Sequence, residues 1–449
     1  MKPSRYNFFF DFPEEPEKIV AYNSRTGALA LMEKNNYDKY KNYVEKGIPI
    51  DDSKLIENLK KGQFLIDDNV DELQLLRFNL WRSRFNDKNL GLTIAPTLGC
   101  NFACVYCYEK DNQKDVFMSE EVQDKIVEYI KRQIKYLQSV NIVWYGGEPL
   151  LAFDIVKDMS EKIIKLCDEN EVIYDAFIVT NGYNLTREVV EQFKNLRLSF
   201  IQITLDGPQD VHDKRRPLKG GQGTFEKILT NIEENIDIMP NVSLRINIDK
   251  ENVNRVNDIL DELEKRGLKN RLSVYLGYIE PTNACYVPNK CLSMHEYSKV
   301  TYMFEKVLKE RGFLNNLMHK YPYLRYNFCG ADRVNSMVID PEGYIYKCWS
   351  DIGMEEYRVG NILDDKSLVS LNIDKYMEYL LYDPTMDEMC IDCKLLPICM
   401  GGCPRRRIER MPERCGNYKY VLEEYLKDIA KELLEKKTGK GLNHDVLGD

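Results

Sequence analysis

The sequence of 449 residues contains no apolar run of 18 residues, so it offers no segment that could form a transmembrane helix. Its first six residues lead into aromatic and acidic positions without the pattern of a secretory signal, and we therefore expect a cytoplasmic protein. The formal net charge of −9 argues against a nucleic-acid-binding surface. Neither an internal repeat nor a low-complexity segment stands out.

The thirteen cysteines lack the even number that a complete disulfide framework requires. Without an export signal, this cysteine content predicts a reducing compartment and metal ligation. The glycine-rich run 220–224 lacks the lysine of a phosphate-binding P-loop, so we interpret it as an ordinary loop. The length and a hydrophobic content of 43% are sufficient for two or three domains with a sizeable core.

Three cysteines have the spacing C-x3-C-x2-C directly after the apolar run 92–95: Cys100, Cys104 and Cys107. The apolar run predicts a buried strand, so the cysteines lie on the loop at its C-terminal end. Three thiolates can hold three corners of a cubane iron–sulfur cluster, and the fourth iron is then open to a further ligand. Zinc is the alternative, but zinc needs a fourth Cys or His nearby, and none follows before Cys167.

Strand and helix patterns alternate six times from residue 92 onward. The predicted strands are 92–95, 142–145, 176–179, 199–205, 243–248 and 273–278. The predicted helices are 119–137, 152–170, 187–194, 225–236, 253–265 and 295–309. Six such units predict an α/β fold with a parallel sheet that curls into a partial (β/α)6 TIM-like barrel. Its active site would lie at the C-terminal ends of the strands, where the three cysteines are.

The first ninety residues have the pattern of a smaller unit. The predicted strands are 6–12, 18–23 and 28–32, and the predicted helices are 36–45, 52–60 and 70–85. This order suggests a winged-helix-like domain. Such a unit is either a structural cap or a module that offers a strand edge to an extended peptide.

The cysteine spacing, with an aromatic residue (Tyr106) before the last cysteine, resembles the signature of the radical SAM superfamily. The resemblance implies that S-adenosylmethionine (SAM) chelates the open iron and is reductively cleaved to a 5′-deoxyadenosyl radical, which abstracts a substrate hydrogen. Gly146, Gly147 and Glu148 follow the second strand and resemble the family's "GGE" motif, which contacts the methionyl ammonium of SAM.

The run after the fourth strand resembles the "SLDG…H…R" run of the sulfatase-maturase and peptide-maturase branch of this family. The resemblance implies that the Thr204 hydroxyl contacts SAM and that Arg216 binds its carboxylate, with Arg215 as the alternative. It also implies that Ile279 packs near the adenine. We interpret His212 as a structural hydrogen-bonding residue and Thr180-Asn181-Gly182 as a turn.

A second cysteine array occupies the last third of the chain, with the spacing C-x13-G-x4-C, a gap, C-x2-C-x5-C-x3-C, a gap, and C. It resembles the seven-cysteine SPASM domain, although a zinc ribbon also uses four thiolates. The resemblance implies two auxiliary [4Fe–4S] clusters, hence three clusters in all. Auxiliary cluster I would use Cys329, Cys348 and Cys403. Auxiliary cluster II would use Cys390, Cys393, Cys399 and Cys415.

Two departures from the family pattern are informative. Auxiliary cluster I lacks a fourth cysteine in this pattern. Its fourth ligand is then Cys285, Cys291 or a cysteine of the substrate, or the position stays open. Sulfatase maturases have an aspartate directly after the second SPASM cysteine, whereas Trp349 follows Cys348 here and Asp351 comes later. We expect Cys167, within a predicted helix, to be a core residue.

These observations predict four segments: a leader-recognition domain (1–88), a radical SAM partial barrel (89–312), a SPASM domain with a C-terminal helix (313–437) and a tail (438–449). We expect an enzyme that forms a thioether crosslink in a ribosomally made precursor peptide. It would use a one-electron reductant such as flavodoxin or ferredoxin, and it would bind neither nucleic acid nor a membrane. The alternatives are an anaerobic sulfatase-maturing enzyme that makes formylglycine and a non-catalytic zinc-binding adaptor.

Overall fold

The computed structural model describes residues 1–280, 286–364, 367–411 and 413–437. Two compact units divide the chain, and each is assembled from separate stretches. The first unit contains Met1–Ser83, Glu305–Phe328 and the described residues from Asp383 onward. The second unit contains Arg84–Phe304 and Cys329–Tyr382. Among the described helices, none is both long enough and apolar enough to cross a membrane.

The first unit begins with strands that are followed by helices. The elements are β1 (Lys2–Pro3), β2 (Asn7–Asp11), β3 (Lys18–Asn23), β4 (Ala28–Glu33), α1 (Lys34–Lys46), α2 (Ser53–Lys61), β5 (Leu65–Ile66) and α3 (Glu72–Arg84). Strands β2, β3 and β4 form an antiparallel sheet in that order, and β1 pairs with β5. The three predicted strands and three predicted helices of this region are therefore confirmed.

The three-stranded sheet of the first unit has a core on each face, because successive side chains of β2 point to opposite faces. Phe9 packs against Tyr40 on α1, with ring centroids 5.1 Å apart. Phe8 and Phe10 pack on the opposite face, in a core cluster that contains Tyr22 and Leu426. Because neighbouring residues of a strand point to opposite faces, one strand supplies both cores. Strands β2 and β4 are the two edges of this sheet.

The second unit is built on a parallel sheet. Its elements are β6 (Asn89–Ile94), α4 (Glu120–Gln133), β7 (Ser139–Trp144), α5 (Phe153–Glu169), β8 (Ile173–Thr180), α6 (Arg187–Gln192), β9 (Leu198–Thr204), α7 (Gln209–Arg215), α8 (Phe225–Asn235), β10 (Asn241–Ile248), α9 (Asp258–Lys265), β11 (Ser273–Tyr278) and α10 (Met294–Glu310). The six strands pair in sequence order and all are parallel. The predicted partial (β/α)6 arrangement is confirmed, and α7 is a helix that the sequence did not predict.

The remaining elements extend both units. They are β12 (Ser336–Ile339), β13 (Tyr344–Tyr346), β14 (Gly360–Asn361), α11 (Ile373–Leu381), α12 (Leu396–Cys399), α13 (Pro404–Ile408) and α14 (Tyr418–Lys437). In the second unit, β12 pairs in parallel with β6 and then forms an antiparallel hairpin with β13. In the first unit, α14 contributes Leu426 and Ile429 to the core beneath the three-stranded sheet. The predicted C-terminal helix is confirmed as α14.

Candidate functional site: a cysteine loop at the C-terminal edge of the parallel sheet

The cysteine loop, residues 100–107, follows β6 and lies at the C-terminal edge of the parallel sheet. It is fixed by backbone hydrogen bonds to the segment after α7. Ala103 N donates to Pro217 O at 2.8 Å, and Val105 N donates to Arg215 O at 3.0 Å. A third bond joins the same two segments, since Lys219 N donates to Asn101 O at 2.9 Å. The segment at residues 215–219 therefore holds the cysteine loop in place.

A second contact comes from the glycine loop, residues 146–148, which follows β7. Glu148 N donates to Gly99 O at 2.8 Å. A Cβ at Gly147 would stand 2.1 Å from that same oxygen, and a Cβ at Gly146 would stand 2.6 Å from Thr97 O. Gly146 also has φ +110°, which favours glycine. Both glycines are thus required for the two backbones to approach.

The carboxylate of Glu148 is buried, with 1% of the residue exposed. Its Oε1 accepts hydrogen bonds from Thr180 Oγ1 at 2.6 Å and Leu150 N at 3.0 Å, and its Oε2 accepts one from Asn181 N at 2.7 Å. Burial raises its pKa, and these donors oppose that rise. Glu148 therefore joins the loops after β7 and β8, and the Thr180–Asn181 turn contributes more to the site than its sequence indicated.

Arg215 and Arg216 have different surroundings. Arg215 forms ion pairs with Asp249 at 2.7 Å and Asp206 at 3.3 Å, and all three side chains are buried. Arg216 Nη1 donates to the Tyr106 hydroxyl at 2.7 Å, while its buried Nε has no hydrogen-bond partner among the described residues. Arg215 is therefore already neutralised by two carboxylates, and Arg216 retains a donor for a further group.

Tyr106 and Ile279, two predicted SAM contacts, lie in one apolar cluster. Ile279 is 5% exposed and packs in this cluster with Tyr286 and Cys291. The Tyr106 hydroxyl also accepts a hydrogen bond from Asn247 Nδ2 at 3.0 Å. Cys291 thus has an apolar environment, and Cys285 lies outside the described residues.

Two further predictions about single residues are confirmed. His212 is buried; its Nδ1 accepts a hydrogen bond from Asp206 N at 3.2 Å and its Nε2 lies 3.0 Å from Thr224 Oγ1. Cys167 is a core residue of α5, with 0% exposure. Thr204, the last residue of β9, is 7% exposed and is the register partner of Arg245.

Burial makes the three thiols of the cysteine loop weaker acids than ordinary cysteines, since it raises their pKa values. Burial, and then the charge of Glu148, raises the pKa of Cys100 to about 12, and burial also raises the pKa of Cys104 and Cys107. Phe102 N donates to Cys100 Sγ at 3.4 Å, and Gln113 Nε2 lies 3.9 Å from Cys107 Sγ. Such donors stabilise thiolates once a metal has displaced their protons.

Within the described ranges, no three His, Cys, Asp or Glu side chains converge on a point that would hold a single metal ion. A cubane cluster does not require that convergence, because each of its thiolates binds a different iron. Three thiolates on one loop are the donor set of a cubane with one open iron, so the residues of the cysteine loop fit such a cluster.

The second array of cysteines lies partly in each unit. In the first unit, a cavity of about 640 Å³ is lined by Cys390, Cys393, Cys399 and Cys415, all four predicted ligands of auxiliary cluster II. Cys403 also belongs to the first unit, at the start of α13, whereas Cys329 and Cys348 belong to the second. The twelve described cysteines are all free thiols.

Trp349, which stands where the sulfatase-maturase pattern has an aspartate, packs beside the glycine loop. Its ring stacks on Tyr145 with centroids 5.4 Å apart and an interplanar angle of 15°. The Tyr145 hydroxyl in turn pairs with that of Tyr108. Asp351 is 1% exposed and accepts a hydrogen bond from the Tyr379 hydroxyl at 3.0 Å. Its carboxylate is therefore engaged within the second unit.

Comparison with known proteins identifies the region that contains this site. The Radical SAM superfamily profile matches residues 94–263, which include the cysteine loop, the glycine loop and Arg215–Arg216. A curated relative is the cysteine-type anaerobic sulfatase-maturating enzyme of Clostridium novyi (strain NT). It is 23% identical over 389 residues, covering 78% of this chain and 98% of the relative.

Two solved structures share the fold. One is described as native anSMEcpe with bound AdoMet and Kp18Cys peptide; it aligns with a TM-score of 0.61 at 21% identity and covers 78% of this chain and 99% of that chain. The other is Streptococcus suis SuiB bound to precursor peptide SuiA. It aligns with a TM-score of 0.54 at 15% identity and covers 93% of this chain and 98% of that chain.

The close approach of the glycine loop generates a prediction. Gly147→Ala places a Cβ where Gly99 O stands, so the two loops must separate and the cysteine loop must lose its register. We expect the anaerobically purified variant to hold about four fewer irons per chain than the wild type.

The matched control is Gly91→Ala, which introduces a Cβ into β6 at an ordinary 3.5 Å from its nearest neighbour. This control should retain its iron. Equal iron contents in Gly147→Ala and the wild type would show that the close approach does not position the cysteines.

Proposed function

We propose that this chain, which matches the Radical SAM superfamily profile over residues 94–263 and is similar to sulfatase maturases and peptide maturases, modifies a ribosomally made precursor peptide. In this proposal the product is an intramolecular thioether crosslink that starts from a substrate cysteine. The observation that carries the proposal is the cysteine loop clamped at the sheet edge beside the unsatisfied Arg216 Nε.

The proposed cofactor site uses the residues already described. Cys100, Cys104 and Cys107 would hold the cluster, and Arg216 would bind the SAM carboxylate with a charge-assisted hydrogen bond. Gly146, Gly147 and Glu148 would receive the methionyl ammonium, and Thr204, Tyr106 and Ile279 would line the remainder of the SAM site. When bound, the cluster and SAM together supply the radical chemistry that removes a hydrogen atom from the substrate.

Other residues of the chain would hold the segments around the site in place and keep water out of it. Arg215, satisfied by Asp206 and Asp249, keeps the segment after β9 fixed beside the cysteine loop. The partly buried Tyr106 packs against the cluster that contains the buried Ile279, and this packing would limit the access of water from that side of the site. A flavodoxin or ferredoxin would deliver the electron from outside.

Two auxiliary [4Fe–4S] clusters complete the proposal. Four thiols around one cavity of the first unit support auxiliary cluster II, since a cubane needs four ligands and space for its core. Auxiliary cluster I would use Cys329, Cys348 and Cys403. Its fourth position would be left for a substrate cysteine, which would hold the sulfur that enters the thioether.

The fraction of this chain that each similar protein covers supports a precursor peptide as the substrate. The sulfatase-maturating relative is matched over 98% of its own length, yet about a fifth of this chain has no counterpart in it. The structure of SuiB bound to precursor peptide SuiA covers 93% of this chain. We propose that residues 1–88 bind the leader of the peptide, with β2 and β4 as the strand edges available for it.

The second candidate function is formylglycine formation on a sulfatase, which is favoured by that nearly complete match to a sulfatase-maturating enzyme. Trp349 at the position of the expected aspartate counts against it, because an indole cannot accept a proton from the substrate. Asp351 does not replace that base, since it is buried and hydrogen-bonded to Tyr379.

Adjacent arginines give a matched test of SAM binding. Arg216→Gln removes the proposed carboxylate partner, and we expect SAM affinity to fall by about tenfold or more. Arg215→Gln leaves Asp206 and Asp249 uncompensated, and we expect about 3–5 kcal/mol of lost stability instead. Anaerobic SAM titration and thermal unfolding of both variants measure the two effects. A larger loss of SAM affinity in Arg215→Gln would reverse the assignment.

Metal analysis separates the proposed enzyme from a zinc-binding adaptor. Anaerobically reconstituted protein should contain about twelve irons with matching sulfide, in three clusters of four. Replacing Cys100, Cys104 and Cys107 together with alanine should leave about eight and abolish the formation of 5′-deoxyadenosine. Stoichiometric zinc in place of iron would contradict the proposal.

The product distinguishes the two candidate functions. Reduced holoenzyme should convert a cysteine-containing precursor peptide into a crosslinked form that has lost two hydrogen atoms and kept its sulfur. Formylglycine formation from the same cysteine would eliminate the sulfur. Tandem mass spectrometry measures both, and sulfur loss without a crosslink would establish the second function.

A further inference from the structure

The guanidinium of Arg245, in the second unit, has no role in the site described above. Arg245 lies on β10, between the register partners Thr204 on β9 and Tyr275 on β11. Its strand neighbours Leu244 and Ile246 are fully buried, so Arg245 points to the opposite, inner face of the curved sheet. Its register with the last residue of β9 places it at the same C-terminal edge as the cysteine loop.

No carboxylate lies within ion-pair distance of Arg245 in the described part of the chain. Its Nε donates to Asn247 Oδ1 at 2.7 Å. The other groups with an electrostatic effect on it are the tyrosines Tyr275, Tyr145, Tyr297 and Tyr106. Arg245 is half-buried, and a guanidinium that is partly removed from water without a counter-charge keeps its capacity to bind an anion.

Gly277 and Asn247 hold the guanidinium of Arg245 in one position. Gly277 on β11 faces it, and a Cβ there would stand 2.3 Å from Arg245 Nε and 2.4 Å from Asn247 Oδ1. Asn247 Nδ2 also donates to the Tyr106 hydroxyl, which accepts from Arg216. Arg245 is therefore connected through Asn247 and Tyr106 to the proposed SAM site while it remains separate from it.

We propose that Arg245, positioned by Asn247 and Gly277, binds a carboxylate of the peptide substrate inside the barrel. A guanidinium presents a planar fork of donors that matches a carboxylate, and a peptide offers carboxylates from an acidic side chain or from its C-terminus. This inference rests on the proposed peptide-modifying function and specifies a feature of the peptide: a carboxylate near the residue that loses its hydrogen atom.

The test uses reconstituted holoenzyme with SAM and three small probes, observed by saturation-transfer NMR. N-acetylglutamate α-amide supplies a side-chain carboxylate, N-acetylglycine supplies a terminal carboxylate, and N-acetylglutamine α-amide is the neutral control. The wild type should bind at least one of the carboxylate probes and not the neutral one. The probe that binds identifies the source of the carboxylate.

Two variants act on the site in different ways. Arg245→Gln removes the charge, and Gly277→Ala displaces the guanidinium while keeping it. Each should weaken binding of the carboxylate probe by about tenfold or more, because one charge-assisted interaction is lost. Gly91→Ala, another glycine replaced within a strand of this sheet, should bind the probe like the wild type. Thermal unfolding confirms that each variant is folded.

Three results would overturn the inference: wild-type protein that binds neither carboxylate probe, Arg245→Gln that binds them unchanged, or Arg245→Gln that loses SAM affinity instead. The last would assign Arg245 to SAM. Formation of 5′-deoxyadenosine by the reduced wild type tests the proposed function separately, so either idea can fail alone.

Discussion

The arrangement of the site depends on one close backbone approach, between Gly147 and the carbonyl of Gly99. Only a residue without Cβ allows it, and it brings the loop after β7 against the loop that carries the three cysteines. Glu148, the next residue, extends the contact to the loop after β8 through Thr180 and Asn181. The loops after β7 and β8 thereby fix the loop after β6, which gives its three thiols a defined geometry.

Charge is distributed inside this unit in an orderly way. Arg215 has two buried carboxylates, Arg216 has a tyrosine hydroxyl and an unsatisfied Nε, and Arg245 has an asparagine and a ring of tyrosines. The first arginine is structurally neutralised, and the other two are held by neutral oxygens. Since neutral hydrogen bonds orient a cation without cancelling it, these two remain able to bind anions. In the two proposals above, each of these arginines would bind one carboxylate, that of SAM at Arg216 and that of the peptide at Arg245.

Much of the fold could be predicted from the sequence because its helices and strands have clear local patterns of apolar and polar residues. The six strand–helix units, the three N-terminal strands and the final helix all follow hydrophobic periodicity. Helix α7 was missed because Val211 is its one apolar residue, so its sequence shows no hydrophobic period. The choice between Arg215 and Arg216 could not be made either, since it depends on Asp206 and Asp249, which only the folded chain brings to one of them. Arg245 had a signal: Ser243, Arg245 and Asn247 alternate with buried apolar residues on β10, which indicates a polar inner face.

The role of Glu148 changes how the glycine motif is understood in this chain. A carboxylate that accepts three hydrogen bonds within the protein has little capacity left, so in the proposed SAM site its charge would act on the ammonium through space, and the backbone carbonyls of the loop would be the direct acceptors. Its negative charge also adds to the effect of burial in raising the pKa of the Cys100 thiol. In the proposed site, an ammonium group bound beside Glu148 would offset that effect, so the cluster and the ammonium group would favour each other's binding through this one buried carboxylate.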